Sequence, residues 1–210
     1  MSHVKLKICG MRNPENIQEI ASLRPDYVGF IFYEKSKRFV GNDFTLDQPE
    51  LAGIKKVGVF VNSELSYVQK QVDKFGLNLV QLHGDETPEF CQKVKALGIA
   101  VIKAIGIQTG FDFRPLASYK PFVEYFLFDT KSEVVYGGTG QPFDWNLLNQ
   151  YDQETSFFLS GGLGLEEIIY LKAQNFNQWN IHAVDVNSKF EIAPGIKNIE
   201  RLRALRALLP

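Results

Sequence analysis

Cysteine is scarce in this 210-residue chain: there are two, Cys9 and Cys91. Neither belongs to a Cys-x-x-Cys or clustered Cys/His spacing, which excludes a disulfide framework and suggests no metal site. Reduced thiols are expected. Net charge is nearly absent as well, since 23 basic and 24 acidic side chains leave a formal charge of -1. The chain has no general attraction to polyanions, and nucleic acid is not an expected partner. No uninterrupted apolar run reaches the roughly 18 residues needed to span a membrane. The N-terminus lacks the basic stretch followed by an apolar one that marks a secretory signal. A cytoplasmic protein with no membrane partner is expected. Low-complexity tracts, Ser/Gly linkers and breaks in composition are missing too, leaving one domain over residues 1–210.

What the chain does have is alternation. Its 45% hydrophobic and 22% charged content is ordinary for a globular protein. Short runs rich in Val, Ile and Phe predict strands near 4–8, 27–32, 56–61, 78–82, 100–105, 124–128, 156–160 and 182–187, eight in all. Amphipathic segments lie between them. Asn13-Pro14 and Thr87-Pro88 each put a capping residue before a proline suited to the first helical turn, and Gly76 and Gly98 stand where helices would end. Leu65, Val68, Val72 and Phe75 recur at helical spacing, as do Phe90, Val94 and Leu97, and Ile199, Leu202 and Leu205. The second unit is the weakest, because residues 42–53 hold only a short, proline-interrupted pattern. An open doubly wound sheet is the alternative. Eight units, no G-x-G-x-x-G after the first strand and a closing apolar helix at 199–209 favour an α/β single-domain (β/α)8 TIM barrel.

In such a barrel the residues ending the strands share one rim, where active sites lie. Cys9, His83, Asp129, Gly161-Gly162 and Asp185 to Ser188 all follow or end apolar runs. Lys5, Lys7 and Cys9 share one strand face, so the Lys7 cation is expected to favour the Cys9 thiolate. The competing reading of a lone cysteine is a small buried hydrophobe; Cys91, in a helical segment beside Phe90, is expected to be packing. Asp129 leaves an apolar strand ahead of Lys131 to Gln141, where desolvation under a loop would suit a general acid; its bland reading is a solvated carboxylate. Gly137–Gly140 does not fit G-x-x-x-x-G-K-[ST] and reads as a lid or loop. Ser160-Gly161-Gly162-Leu163 precedes a helical pattern and, with Asn187-Ser188, matches the phosphate site that barrels build after strands seven and eight. Two tight glycine turns are the alternative. His83, with Gln81 on the same face, can orient a hydroxyl or stand as a structural histidine. Arg38 can grip a carboxylate in bidentate fashion or sit in a solvated basic loop. These residues together point to a phosphate-binding barrel isomerase or lyase.

The motifs carry a resemblance. Lys7-Ile8-Cys9-Gly10, Gly29 to Tyr33 with Ser36 and Arg38, Val57 to Asn62, and Val80 to Glu86 come first. Asp129-Thr130, Gly137 to Gly140 with Phe143-Asp144-Trp145, Leu159 to Leu163, and Asp185 to Ser188 with Glu191, Pro194-Gly195 and Lys197 follow in order. From Lys7 to Lys197 the chain resembles the phosphoribosylanthranilate isomerases of tryptophan biosynthesis. The resemblance implies an Amadori rearrangement of a small phosphorylated substrate, with no cofactor and no metal. It implies Cys9 as general base and Asp129 as general acid. Arg38 would meet the anthranilate carboxylate, and Gly161, Gly162, Asn187 and Ser188 would surround the phosphate; Lys7, His83 and Asp185 complete the expected substrate-binding set. Met11-Arg12, Lys189 and Asn198 depart from the pattern, and Lys189 bears on phosphate-loop geometry. A related barrel, indole-glycerol-phosphate synthase, would need an additional lysine/glutamate constellation and a longer N-terminal extension. A non-catalytic phosphosugar-binding relative would be expected to lack Cys9 or Asp129, and both are present. A monomer is expected, although this barrel also accommodates a dimer.

Overall fold

The computed structural model of the chain describes residues 4–46, 49–130, 142–174 and 178–209. Its strands are β1 (Lys5–Ile8), β2 (Tyr27–Ile31), β3 (Lys55–Phe60), β4 (Leu79–Leu82), β5 (Ala100–Ile107), β6 (Tyr125–Thr130), β7 (Phe157–Leu159) and β8 (Ile181–Val186). They pair in chain order and close into one barrel, and each pairing is parallel. The eight-stranded expectation holds, with ends shifted by one or two residues. Closure comes from β1 and β8, whose register sets Lys7 opposite Asp185.

The strand runs are nearly continuous in apolar residues because both faces are covered. Successive side chains alternate between the lumen and the helical layer. Tyr27, Val57, Leu79, Ile102, Leu127, Phe158 and Ala183 fill the lumen as one buried cluster. Their neighbours in sequence, such as Val28, Val80, Phe126, Phe128 and Val184, join the outer core beneath the helices. An eight-stranded barrel has room for side chains and no open pore.

Five α-helices surround these strands among the described residues: α1 (Pro14–Ser22), α2 (Leu65–Phe75), α3 (Pro88–Lys95), α4 (Leu165–Ala173) and α5 (Ile199–Leu208). The expected caps at Asn13, Thr87 and Gly76 are in place, whereas α3 ends on Ala96, two residues before Gly98. Asn13 Oδ1 accepts from the Asn16 N–H at 2.8 Å, Thr87 Oγ1 accepts from the Phe90 N–H at 3.4 Å, and α2 ends on Gly76 with φ +56°. Each helix turns a short apolar face inward, as with Val68 and Phe75 of α2 or Leu202 and Leu205 of α5. No helix among the described residues is long and apolar enough to cross a membrane.

Three connections depart from the strict alternation. After β2 the described chain holds only the 3₁₀ turn Pro49–Leu51; after β5 it holds Arg114–Ser118 and Lys120–Phe122; before β7 it holds Trp145–Gln150. Pro49, Pro115 and Pro121 explain the first two, because proline removes a donor and suits only the start of a helical turn. Nothing in the sequence explains the third. A hairpin absent from the strand reading follows β8: β9 (Glu191–Ala193) pairs antiparallel with β10 (Ile196–Lys197). Lys131 to Gln141, with Tyr136 and the Gly137–Gly140 stretch read as a lid, lies outside the described residues.

Phe158 is fully buried and meets Tyr27 and Tyr125 edge-to-face at 5.2 and 5.4 Å. Its truncation empties the centre of the lumen. Phe158→Ala is expected to lower unfolding free energy by about 3–5 kcal/mol, measured by urea denaturation. A loss below about 1 kcal/mol would show that the lumen collapses around the gap.

Candidate active site

The alternation that fills the lumen also decides which residue tops each strand. On β1, Lys7 faces inward and Cys9 is the next residue on that face; the Cys9 N–H still donates to Val186 O at 3.0 Å. On β6, Asp129 succeeds the lumen residue Leu127, and on β4, His83 succeeds Gln81. The ring order puts β6 three strands from β1 one way and five the other. Asp129 and Cys9 therefore face each other across the mouth.

Beneath Cys9, the Lys7 ammonium donates to Asp185 Oδ2 at 2.8 Å, and both side chains are buried. Burial alone pulls the Lys7 pKa down, but the charges of Asp185 and Cys9 and their hydrogen bonds outweigh it, so the net direction is up. Asp185 is pushed up by its own burial against the pull of Lys7. Lys7 acts on Cys9 in the expected direction but does not prevail. The Cys9 thiol lies above the ordinary value because desolvation outweighs the cation of Lys7, part of whose effect the Asp185 charge cancels. The resting form is the thiol.

Asp129 is held by its neighbours. Its Oδ1 accepts from the Thr130 N–H at 2.8 Å, and its Oδ2 lies 3.5 Å from His83 Nε2. The other nitrogen of that ring is 2.7 Å from Gln81 Nε2, which fixes the imidazole plane. His83 thus lies beside the acid with its ring satisfied by Gln81, an arrangement that serves either reading of this histidine. A wider network carries this strand end: Lys103 Nζ donates to Leu82 O, Gly84 O and Glu86 Oε2 at 3.2, 2.6 and 3.0 Å, bracketing His83. Sequence reasoning missed Lys103 because it points away from the lumen.

Gly161 and Gly162 both take left-handed backbone, with φ +90° and +65°. A Cβ on Gly161 would stand 2.5 Å from Thr130 Oγ1 and 2.9 Å from Asp129 Oδ1, so only glycine lets this loop close against the acid. Among the described residues the N–H groups of Gly161 and Gly162 have no partner. They point to anion binding ahead of α4, whose first free N–H, on Gly164, is taken by Glu167 Oε2 at 2.8 Å. Asn187 and Ser188 follow β8 as expected, and Asn187 Oδ1 accepts from Lys197 Nζ at 2.6 Å.

Arg38 is no solvated loop residue. Its Nε and Nη2 grip the Glu191 carboxylate at 2.7–2.9 Å, so the fork expected for a ligand carboxylate holds one from the chain itself. The Nη1 edge carries no hydrogen bond among the described residues. Glu191 also accepts from Lys197 Nζ at 2.7 Å and from the Gly195 N–H at 3.0 Å. Burial pushes Glu191 up, but Arg38 and Lys197 hold it below the ordinary carboxylate value; Lys197 itself is pulled down by burial. The signal for this cluster was the Pro194-Gly195 turn between two short runs, a hairpin cue. A cleft of about 440 Å³, lined by Trp145, Glu166, Glu167, Tyr170 and Trp179 among others, holds neither Cys9 nor Asp129 nor Arg38.

The sequence pattern of the N-(5'phosphoribosyl)anthranilate (PRA) isomerase family matches residues 6–207. The chain belongs to this family. An N-(5'-phosphoribosyl)anthranilate isomerase of Parabacteroides distasonis is 44% identical over 94% of this chain and 90% of its own length. That of Caldanaerobacter subterraneus is 41% identical over 96% and 95%. A solved PRA isomerase in complex with reduced 1-(o-carboxyphenylamino)-1-deoxyribulose 5-phosphate superposes with a TM-score of 0.78 at 32% identity, covering 97% of this chain and 96% of that one. The Thermus thermophilus PRA isomerase gives a TM-score of 0.80 at 26% identity, with 98% of each chain covered.

Only a thiolate reacts with iodoacetamide, and the Cys9 thiol is raised above its ordinary value of 9.0. Alkylation of Cys9, followed by peptide mass spectrometry, is expected to be slow at neutral pH and to climb through the alkaline range as the thiol loses its proton. A rate already level at pH 7 would show that Lys7 prevails over burial.

Proposed function

We propose that the barrel mouth catalyses the family's reaction, the Amadori rearrangement of N-(5'-phosphoribosyl)anthranilate to 1-(2-carboxyphenylamino)-1-deoxyribulose 5-phosphate, with Asp129 as acid and Cys9 as base. The chain is an aldose–ketose isomerase of tryptophan biosynthesis. The observation that carries the residue assignment is the pair of buried proton-transfer groups facing each other across the mouth, with the unpaired N–H groups of Gly161 and Gly162 beside the acid.

The chemistry follows from that placement. Asp129 gives its proton to the ribose ring oxygen while the anthranilate nitrogen lone pair moves to C1; the C1–O bond breaks and a protonated imine forms. That imine acidifies the C2–H bond. Cys9, as thiolate, takes the C2 proton, and the electron pair becomes the C1=C2 bond of an enolamine. Proton gain at C1 and loss from the C2 hydroxyl then give the ketone. His83, steadied by Gln81, orients the carboxyl of Asp129. Lys7 supplies the positive charge that offsets the thiolate as it forms, and Asp185 keeps that ammonium charged. Arg38 faces the anthranilate carboxylate with the edge that Glu191 leaves uncovered. Gly161, Gly162, Asn187 and Ser188 take the phosphate.

General acid and base contributions are roughly 10²–10⁴-fold each. Cys9→Ala and Asp129→Asn are each expected to slow the loss of phosphoribosylanthranilate fluorescence by that factor with the circular dichroism spectrum unchanged. Wild-type turnover in either variant would remove that residue from the mechanism.

A further inference from the structure

The phosphate end of the mouth carries a charge problem. Glu167 places a carboxylate on the Gly164 N–H, in the first turn of α4. A phosphate dianion approaching Gly161 and Gly162 meets that like charge a few residues away. No cation among Gly161, Gly162, Asn187 and Ser188 offsets it. Lys7 is committed to Asp185 and Cys9, and Lys197 to Asn187 and Glu191.

One lysine beside this site is uncommitted among the described residues. Lys189 follows Ser188 in the 3₁₀ turn Ser188–Phe190, directly after the β8 end. Its stem lies over the same glycine that Glu167 caps: a Cβ built on Gly164 would stand 3.7 Å from Lys189 Cβ and 3.8 Å from its Cδ, with Glu167 Oε2 at 2.8 Å. Lys189 is exposed and makes no hydrogen bond or ion pair among the described residues. Its stem therefore bridges the two halves of the phosphate loop, and its charge is free for a ligand.

We propose that Lys189 is a substrate-binding residue whose ammonium closes over the 5'-phosphate and offsets the Glu167 carboxylate. The proposal rests on the phosphate site assigned above to Gly161, Gly162, Asn187 and Ser188. A side chain at this position adds a point charge to a site otherwise built of backbone N–H groups, which a dianion favours. The charge is solvent-exposed, so salt screens it.

The test is KM for phosphoribosylanthranilate, with Ki for inorganic phosphate, in wild type, Lys189→Ala, Lys189→Arg and Ser188→Asp at low and high ionic strength. Lys189→Ala is expected to raise both constants about tenfold at low salt, as loss of a charge-assisted contact does. The loss should fall on KM, and the arginine variant should recover it. At about 1 M salt, where the Debye length is near 3 Å, the gap should close. Ser188→Asp puts a carboxylate where the phosphate sits and should raise KM at least as far. Wild-type KM in Lys189→Ala while Ser188→Asp is impaired overturns the role of Lys189 alone, as does a Lys189→Ala effect that salt leaves unchanged. An unimpaired Ser188→Asp overturns the phosphate site itself.

Discussion

The Lys7–Asp185 ion pair lies at the seam where the first and last strands close the barrel, and the mouth is arranged above it. Both charges are out of water, at a desolvation cost that their attraction offsets only with good geometry and further hydrogen bonds. Lys7 finds a second partner in Cys9, whereas Asp185 Oδ1 has none among the described residues. Two apolar residues at this register would pack without that cost, so stability alone does not account for the pair. Position does. An ammonium locked beneath Cys9 is available to a thiolate formed there, and the opposed carboxylate keeps it from losing its own proton in a dry site.

Room at the mouth is as constrained as charge. A Cβ on Gly29 would stand 2.7 Å from Cys9 Sγ, and one on Gly10 would stand 2.8 Å from both Arg38 Cδ and Asn187 Oδ1. With Gly161 against Asp129, the acid, the base and the arginine are each seated on a missing side chain. At Gly29 glycine serves close approach to a functional group alone, whereas Gly10 and Gly161, at φ +77° and +90°, meet that need and a left-handed backbone together. The alternation of the strands supplies the other constraint: a single inward residue per strand reaches the rim, which is why Cys9, His83 and Asp129 come from different strands.

That logic explains what could be read from the sequence. The eight strands were legible because strands covered on both faces are unbroken apolar runs, and α1 and α3 because Asn13-Pro14 and Thr87-Pro88 announce their starts. Cys9, Asp129 and Gly161 were legible by position alone, each directly after or at the end of such a run. The 3₁₀ connections were less so, since one or two turns of 3₁₀ helix leave too few residues to show a period. Interactions between distant residues were not legible at all. Arg38 and Glu191 are 153 residues apart, and Lys7 and Asp185 are 178 apart. The Cys9 proton balance was half legible for a related reason: the neighbouring lysine, which does lower the thiol, is visible in the sequence, whereas full burial of both groups and the competing carboxylate are not.

A raised thiol is no obstacle to the proposed base. Catalysis by a base scales with the fraction deprotonated and with its affinity for the proton, and the second rises as the first falls. A thiolate held in a dry site above Lys7 is scarce and basic, which suits a C2 proton that must be removed once per turnover and then returned at C1. It suits a nucleophile less well, because nucleophilic attack depends on a standing thiolate population. Scarcity also shields Cys9 from oxidants and electrophiles, which select low-pKa exposed thiols. The same burial that defeats a simple reading of Lys7 beside Cys9 thus favours proton transfer over covalent chemistry at this position. Asp129, tied to His83 and to the Thr130 N–H on the far side of the mouth, keeps the acid at a fixed point while the base changes state.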